Sequence, residues 1–318
     1  MSRARLILTV TGLLLLCAPA VIAAAALSGI GHRWVDILAQ FVASAMLGTV
    51  LVGAMAVILR LWVATAMSAA IGALLLVAGA PQWFPPKGTA APDAAAFSLY
   101  SANVWIGNRD VAALARSVAA ADADVVVLIE VGEPMVGGLD RVLGAYPHRW
   151  TGPIRPGGRA SRQAFASRYP LRPVAGVATQ MDSRGAVVET PAGPVTVVGV
   201  HLTRPWPYRI QWEQIRQAQG VAGWRAAYPG PLIVAGDFNS VSSARVGRQI
   251  QAETGLIPAP GWPGTWPTAL PSAAAMTIDQ VYRSPDLALV ERRLGQRNGS
   301  DHRPVITRFA RAAPPPAG

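Results

Sequence analysis

Val234–Ser240 reads VAGDFNS, and the way this stretch is interpreted decides the fold of most of the chain. Pro231 precedes four apolar residues, Leu232 to Ala235, which have the length and composition of a short buried strand. Gly236, Asp237, Phe238 and Asn239 then break into a polar loop at its end. Residues two apart in extended backbone project to one side, so Asp237 and Asn239 can face a common ligand while Phe238 turns back into the core. An Asx-rich turn could be written with the same letters, so the companions of this stretch must decide.

Working outward, Val195–Val200 is a strand that ends on His201 and pairs with Val187–Thr190 across the turn at Ala192 and Gly193. A helix is predicted from Tyr208 to Trp224, between that strand and VAGDFNS. Further upstream, Asp124–Ile129 (DVVVLI) is a buried strand ending on Glu130, and Ala164–Ser167 (AFAS) is strand-like before a turn. Phe97–Val104 (FSLYSANV) alternates and ends on Asn103. Asn108 or Asp110 then caps a helix whose Val111, Leu114, Ala115 and Val118 share one face. Downstream, Met276–Tyr282 (MTIDQVY) holds Asp279, and Gly299–Ile306 (GSDHRPVI) holds Asp301 and His302 before a final strand. Strand after strand stops at an Asn, Glu, His or Asp, which is how polar groups collect on one edge of a sheet core to make a site. Singly, each has a plain structural explanation: a surface carboxylate, a strand-end histidine, an aspartate capping a turn.

The rest of the chain is of another kind. With 318 residues, 52% hydrophobic and 14% charged, it is too apolar for one soluble domain. No charge falls between Leu6 and Leu27, Ile37 and Leu59, or Leu61 and Gln82, and each run matches the ~20 residues that cross a bilayer. Three transmembrane helices are therefore expected, at about 6–27, 37–59 and 61–81 within a membrane region 1–82, with a turn near Arg60 and Trp62. A cleaved signal peptide is the alternative for the first. Cys17, the lone cysteine, excludes an intramolecular disulfide, and Leu16 before it argues against lipidation. Residues 83–96, rich in Pro and Ala, read as a linker, with Trp83 and Phe84 as interfacial anchors. A globular α/β domain is expected at 97–310 and a disordered tail at 311–318. The net charge of +11 suits an anionic substrate or lipid surface, or is a solvated Arg-rich face.

Asn103, Glu130 in LIE, His201 in VHL, GDFN at 236–239, TWP at 265–267, ID at 278–279 and SDHRP at 300–304 resemble, in order and spacing, the endonuclease/exonuclease/phosphatase (DNase I-like) superfamily. Two departures stand out. Gln280 replaces the His that often follows ID, and SRYP at 167–170 follows Gln-Ala-Phe-Ala rather than a glycine-led run. The resemblance covers residues 97 to about 309 and implies a four-layer α/β sandwich, two mixed sheets face to face with helices outside. It also implies Mg²⁺-dependent hydrolysis of a phosphoester, with Mn²⁺ as an alternative cofactor. Glu130 would ligate the metal, supported by Asn103 and Asp301, since a hard cation takes oxygen ligands. Asp237 would orient and deprotonate the attacking water, Asn239 and His201 would donate to phosphoryl oxygens, and His302, held by Asp279, would contact the phosphate as imidazolium.

Nuclease-like activity is the first expectation, with the Arg-rich segment 155–168 ending on Arg168, and Arg204, tracking phosphates. A lipid phosphodiesterase or phosphatase is the alternative, using exposed aromatics such as Trp206, Trp262 and Trp266 beside the tether. A non-catalytic envelope binding module is a third reading. A metal-independent hydrolase lacks its signature, since neither G-x-S-x-G nor a reactive cysteine is present. No obligate protein partner is evident. Arg3, Arg5 and Arg60 put the N-terminus and the second turn in the cytoplasm by the positive-inside rule, so the catalytic domain would lie outside the plasma (inner) membrane, in the periplasm or beyond.

Overall fold

A computed structural model of the chain describes residues 2–154, 161–205 and 210–314. The charge-free stretches are helical: α1 (Arg3–Leu27), α2 (Arg33–Ala39), α3 (Val42–Ile58) and α4 (Trp62–Trp83). α1 and α4 are each long and apolar enough to span a membrane, whereas the second stretch, expected as one helix over 37–59, is bent by 54° between α2 and α3. The elbow keeps a carboxylate with its partners. Asp36, buried on α2, accepts from the Arg245 backbone N–H at 2.7 Å and from Gln211 Nε2 at 2.6 Å, both in the globular part. Between α3 and α4 the chain turns at Arg60, whose φ is +53° and whose carbonyl accepts from the Arg5 guanidinium.

The globular part runs β1 (Ala96–Asn103), α5 (Val111–Ala121), β2 (Val125–Gly132), α6 (Glu133–Val136), α7 (Leu139–Leu143), β3 (His148–Thr151), β4 (Ser161–Ser167), β5 (Leu171–Pro173) and β6 (Asp182–Thr190). It continues through β7 (Gly193–His201), α8 (Gln211–Ala227), β8 (Leu232–Asp237), α9 (Arg245–Thr254), β9 (Ile257–Pro258), β10 (Asp279–Arg283), β11 (Leu287–Leu294) and β12 (Val305–Arg311). Of the two capping candidates for α5, Asp110 does the work, accepting from Ala113 N at 2.8 Å. The expected start of the next long helix, Tyr208, lies outside the described residues.

Among the described residues the strands make two six-stranded sheets, ordered β11-β12-β1-β2-β4-β3 and β5-β6-β7-β8-β10-β9. Alternation gives each sheet two apolar faces. Leu99, Val125, Val127 and Phe165 of the first sheet meet Val195, Val197, Ile233 and Val281 of the second in a dry core. Outward, Tyr100, Val126 and Leu128 pack under α5 and α7, and Val198, Val200 and Val234 under α8 and α9. The result is the four-layer α/β sandwich.

The segment after α4 is bound along the edge of the first sheet. Leu289 N donates to the Lys87 carbonyl at 2.8 Å, Ala91 N to Arg311 at 2.9 Å and Arg283 Nη2 to Pro86 at 2.7 Å. Gly261 N donates to the Gln82 carbonyl at 2.7 Å, and a Cβ at Gly261 would lie 2.4 Å from Gln82 Cγ, so only glycine permits this approach. The apolar helices and the sandwich are thus joined by fixed contacts at both the elbow and the end of α4.

Candidate active site

In the second sheet β7 and β8 run parallel with His201 beside Asp237, and β8 and β10 antiparallel with Asp237 beside Asp279. Val197, Ile233, Ala235 and Val281 face the inter-sheet core. His201, Asp237 and Asp279 share their parity and therefore project into the same seam at its polar end. Asn103 reaches the seam from the first sheet in phase with Leu99.

Glu130 departs from this rule. Val125, Val127 and Ile129 face the core, so the next residue would point outward. Between Leu128 and Val131 β2 carries one more residue than β4 does between Ala164 and Arg162, and Glu130 takes a φ of +54°. That bulge turns the carboxylate back into the seam. Its Oε1 lies 3.1 Å from His201 Nε2, and Oε2 accepts from Ile106 N at 3.3 Å.

Asp237 is buried at the centre of the site. Its Oδ1 accepts from Asn239 N at 2.8 Å and its Oδ2 from Asn103 Nδ2 at 3.1 Å, so one hydrogen bond crosses between the sheets. Burial raises its pKa; His302 and His201 oppose that shift and Asp279 reinforces it. Asn239, at φ +47°, donates through Nδ2 to Leu202 O at 2.9 Å and to Asp237 Oδ2 at 3.3 Å. Both contacts lie within the protein, so in this structure the Asn239 amide is directed at Asp237 and the Leu202 carbonyl. Gln214 Nε2 holds the loop from behind through the Phe238 and Asn239 carbonyls, at 2.9 and 3.0 Å. Gln280, the departure from the family pattern, donates to the Ser240 carbonyl and braces the same loop.

His302 Nδ1 lies 2.9 Å from Asp279 Oδ2, which leaves Nε2 facing the gap between Asp237 Oδ2 at 4.0 Å and Asp301 Oδ1 at 3.9 Å. Burial alone would lower the His302 pKa, but Asp279, Asp237 and Asp301 together raise it, which favours the protonated ring. Trp266 Nε1 donates to Asp301 Oδ2 at 3.1 Å, and the Arg204 guanidinium lies 5.0 Å above the Trp266 ring.

The donors suit a hard divalent cation. Glu130 and Asp301 bring carboxylates to the cleft, and the Asn103 carbonyl, which accepts from Trp105 N at 2.9 Å, keeps a second lone pair. Asp237, Asp279 and His302 also lie with ligand atoms within 4.8 Å of one another. There, however, the Asp279–His302 hydrogen bond occupies Nδ1 and the carboxylate, so this trio is better suited to proton handling than to ligation.

These groups line a cleft of about 1120 Å³. Arg204 is in its wall; Arg168, expected with it, is not. Ser167 pairs with Val125 at the far end of β2, and Arg168 there bonds the side chains of Asp122 and Asp124. Of the Arg-rich segment, residues 155–160 lie outside the described residues, as does Trp206. Sequence reasoning missed Trp105, which lines the cleft at φ +61°, and Ile37, Gln40, Phe41 and Ser44 of the α2–α3 elbow, which form one of its walls. No periodicity in the sequence signals a contact between these distant segments.

The described fold is similar to that of an endonuclease/exonuclease/phosphatase from Beutenbergia cavernae, with a TM-score of 0.55 at 20% identity over 70% of this chain and 73% of that one. An endonuclease/exonuclease/phosphatase family protein from Bacteroides thetaiotaomicron gives 0.55 at 13% identity, over 70% and 100%. Humanized D. rerio TDP2 gives 0.51 at 19%, over 67% and 98%. At such identities the likeness is one of fold. No curated protein matches the sequence significantly. The endonuclease/exonuclease/phosphatase family itself matches residues 100–302, well over half of the chain and from β1 to His302. The sandwich and the residues gathered at its seam agree with that match: the chain belongs to the endonuclease/exonuclease/phosphatase family.

Proposed function

We propose that the protein is a membrane-tethered, Mg²⁺-dependent phosphoester hydrolase that works by in-line attack of water. The observation that carries this reading is the pairing of two differently tuned groups across one gap. Asp237 is a buried carboxylate of raised pKa, and 4.0 Å away His302 Nε2 belongs to a ring kept protonated by Asp279. A base poised closer to neutrality than a surface aspartate takes the proton of the attacking water. The imidazolium donates to a phosphoryl oxygen, where negative charge grows in the transition state. Asn103 and Asn239 fix Asp237, and Arg204 adds positive charge to the cleft. Glu130, with Asn103 and Asp301, would hold the cation, which when bound supplies charge to the phosphoryl and leaving oxygens. The balance is a new bond from water oxygen to phosphorus, a broken ester bond, one water proton taken up by Asp237, and one proton delivered from solvent to the alcohol departing on the opposite side.

α1, the α2–α3 pair and α4 are read as three spans, and the arginines in the first turn of α1 and at the α3–α4 turn favour a cytoplasmic N-terminus with the sandwich outside. Truncation after Gly88 and fusion to alkaline phosphatase should give an active reporter, and fusion to green fluorescent protein a dark one; a bright fluorescent fusion overturns this orientation.

The chemistry is tested with the purified full chain in detergent. It should hydrolyse bis-para-nitrophenyl phosphate with Mg²⁺ or Mn²⁺, and His302→Ala should not. Absence of hydrolysis with either metal, or full activity in the variant, would sink the reading.

A further inference from the structure

The cleft is larger than a phosphoryl group requires, and part of its wall, apolar at Ile37 and Phe41, comes from the elbow of the apolar helices. Its volume of about 1120 Å³ is above the roughly 300–1,000 Å³ of typical small-ligand sites. The elbow between α2 and α3 forms part of its wall, with Ile37 and Phe41 supplying apolar surface beside Gln40 and Ser44; Leu270 and Met276 of the loop before β10 also line it.

This wall is built in. Ser44 Oγ donates to the Ala274 carbonyl at 2.5 Å. Asp36 accepts from Arg245 N at the start of α9, a helix whose N-cap residue, Ala244, has no side-chain oxygen to offer, so the elbow supplies the cap. Trp34 and Leu38 of α2 and Ile210 and Trp212 at the start of α8 are exposed. Exposed aromatic and aliphatic groups beside the end of apolar helices are what a membrane–water interface stabilises.

We infer that the elbow is a substrate subsite, and that the substrate is a membrane phospholipid whose phosphoester enters the seam while an acyl chain lies along Ile37, Phe41, Leu270 and Met276. The inference rests on the hydrolase reading and names its substrate class. The reaction adds one water across the lipid's phosphodiester and releases one phosphate monoester and one alcohol, with no other reactant. Nucleic acid fits less well. A long polyanion needs an open path lined with cations. Here the elbow forms part of the wall, the described arginines lining the cleft are Arg204 and Arg216, and the Glu213 carboxylate lines it with them.

The test compares dioleoyl with dihexanoyl phosphatidylglycerol and phosphatidylethanolamine, together with single-stranded DNA and RNA, using the full chain in detergent or vesicles. The wild type should cleave the long-chain lipids in preference to the short-chain ones. Phe41→Asp should reduce the long-chain to short-chain ratio of kcat/KM by at least about tenfold, because a charge in the subsite rejects the chain. Phe41→Ala, a milder change if the charge prevents folding, should move the ratio in the same direction. An unchanged ratio in folded variants, or hydrolysis of DNA or RNA with the lipids inert, overturns the subsite. Loss of all hydrolysis in wild type overturns the underlying chemistry instead, and bis-para-nitrophenyl phosphate separates the two failures.

Discussion

On the second sheet, His201, Asp237 and Asp279 stand on neighbouring strands in register and reach the seam by plain alternation. On the first sheet, Glu130 reaches it only through a bulge and a left-handed backbone. The regular row contains the groups whose mutual distances set proton positions, and they inherit the rigidity of a ladder. The irregular side concentrates cost. Trp105 and Glu130, both on this side, have positive φ, a conformation worth about 1–3 kcal/mol of strain for such residues and one that persists where the surroundings over-determine it. The difference suggests a division of labour in which the row does the proton chemistry and the bulge aims a ligand.

Breaking the row, or the His302 ring that its Asp279 holds, should have the largest effect. Asp237→Ala or His302→Ala is expected to lower kcat by about 10³–10⁴-fold, the upper range for removing a positioned acid or base. The sandwich should stay folded by circular dichroism, since neither side chain belongs to an apolar cluster. Near-wild-type turnover in a folded variant would remove these residues from the mechanism. Asp279→Asn is a finer cut. It keeps the shape but withdraws the charge that holds His302 protonated, so a loss of about 10²-fold or more is expected. If Asp279→Asn matched wild type, the imidazolium would not be the working form.

The same contrast separates what could be read in the sequence from what could not. Asn103, His201, Asp237 and Asp279 were legible because an apolar core residue two or four places along the same strand, Leu99, Val197, Ala235 and Val281 respectively, fixes the side on which they fall. The sandwich followed from the same alternation. Glu130 was picked out as the polar end of a buried strand, and its metal role came from the family resemblance; by alternation it points outward, and a bulge leaves no mark in the letters of a strand. Arg168 was misplaced because an Arg-rich run says nothing about which end of a sheet it occupies. The elbow stayed hidden because the pull on Asp36 comes from Arg245 and Gln211, about two hundred residues away in sequence.

For the irregular side the expected effect is smaller and of a different kind. Glu130→Gln should raise the Mg²⁺ concentration for half-maximal rate by about 10–100-fold, with part of the activity recovered at saturating metal. Chelation with EDTA should abolish wild-type hydrolysis, and Mg²⁺ or Mn²⁺ should restore it. A metal titration of Glu130→Gln that overlays the wild type would mean that the bulge aims the carboxylate at His201 alone.

The smallest effects come from two arginines that sequence reading grouped together. Arg204 lies in the cleft wall over Trp266, so Arg204→Ala should raise KM for a phosphodiester by about tenfold, the worth of one charge-assisted hydrogen bond. Arg204→Lys should recover part of that loss, since a point charge replaces a planar fork. Arg168 sits at the opposite end of β2, where it ties Asp122 at the end of α5 to Asp124 at the start of the strand. Exposed pairs of this sort contribute about 0–1 kcal/mol, so Arg168→Ala should lower the thermal midpoint by no more than a few degrees. Its kcat/KM should stay within about twofold of wild type, since the site is reached from there only through the length of the strand. A tenfold kinetic defect in Arg168→Ala without loss of stability would mean that substrate extends along the whole sheet edge, which a polyanion can do and a single lipid cannot. This comparison of two arginines therefore tests, from outside the cleft, the size of what enters it.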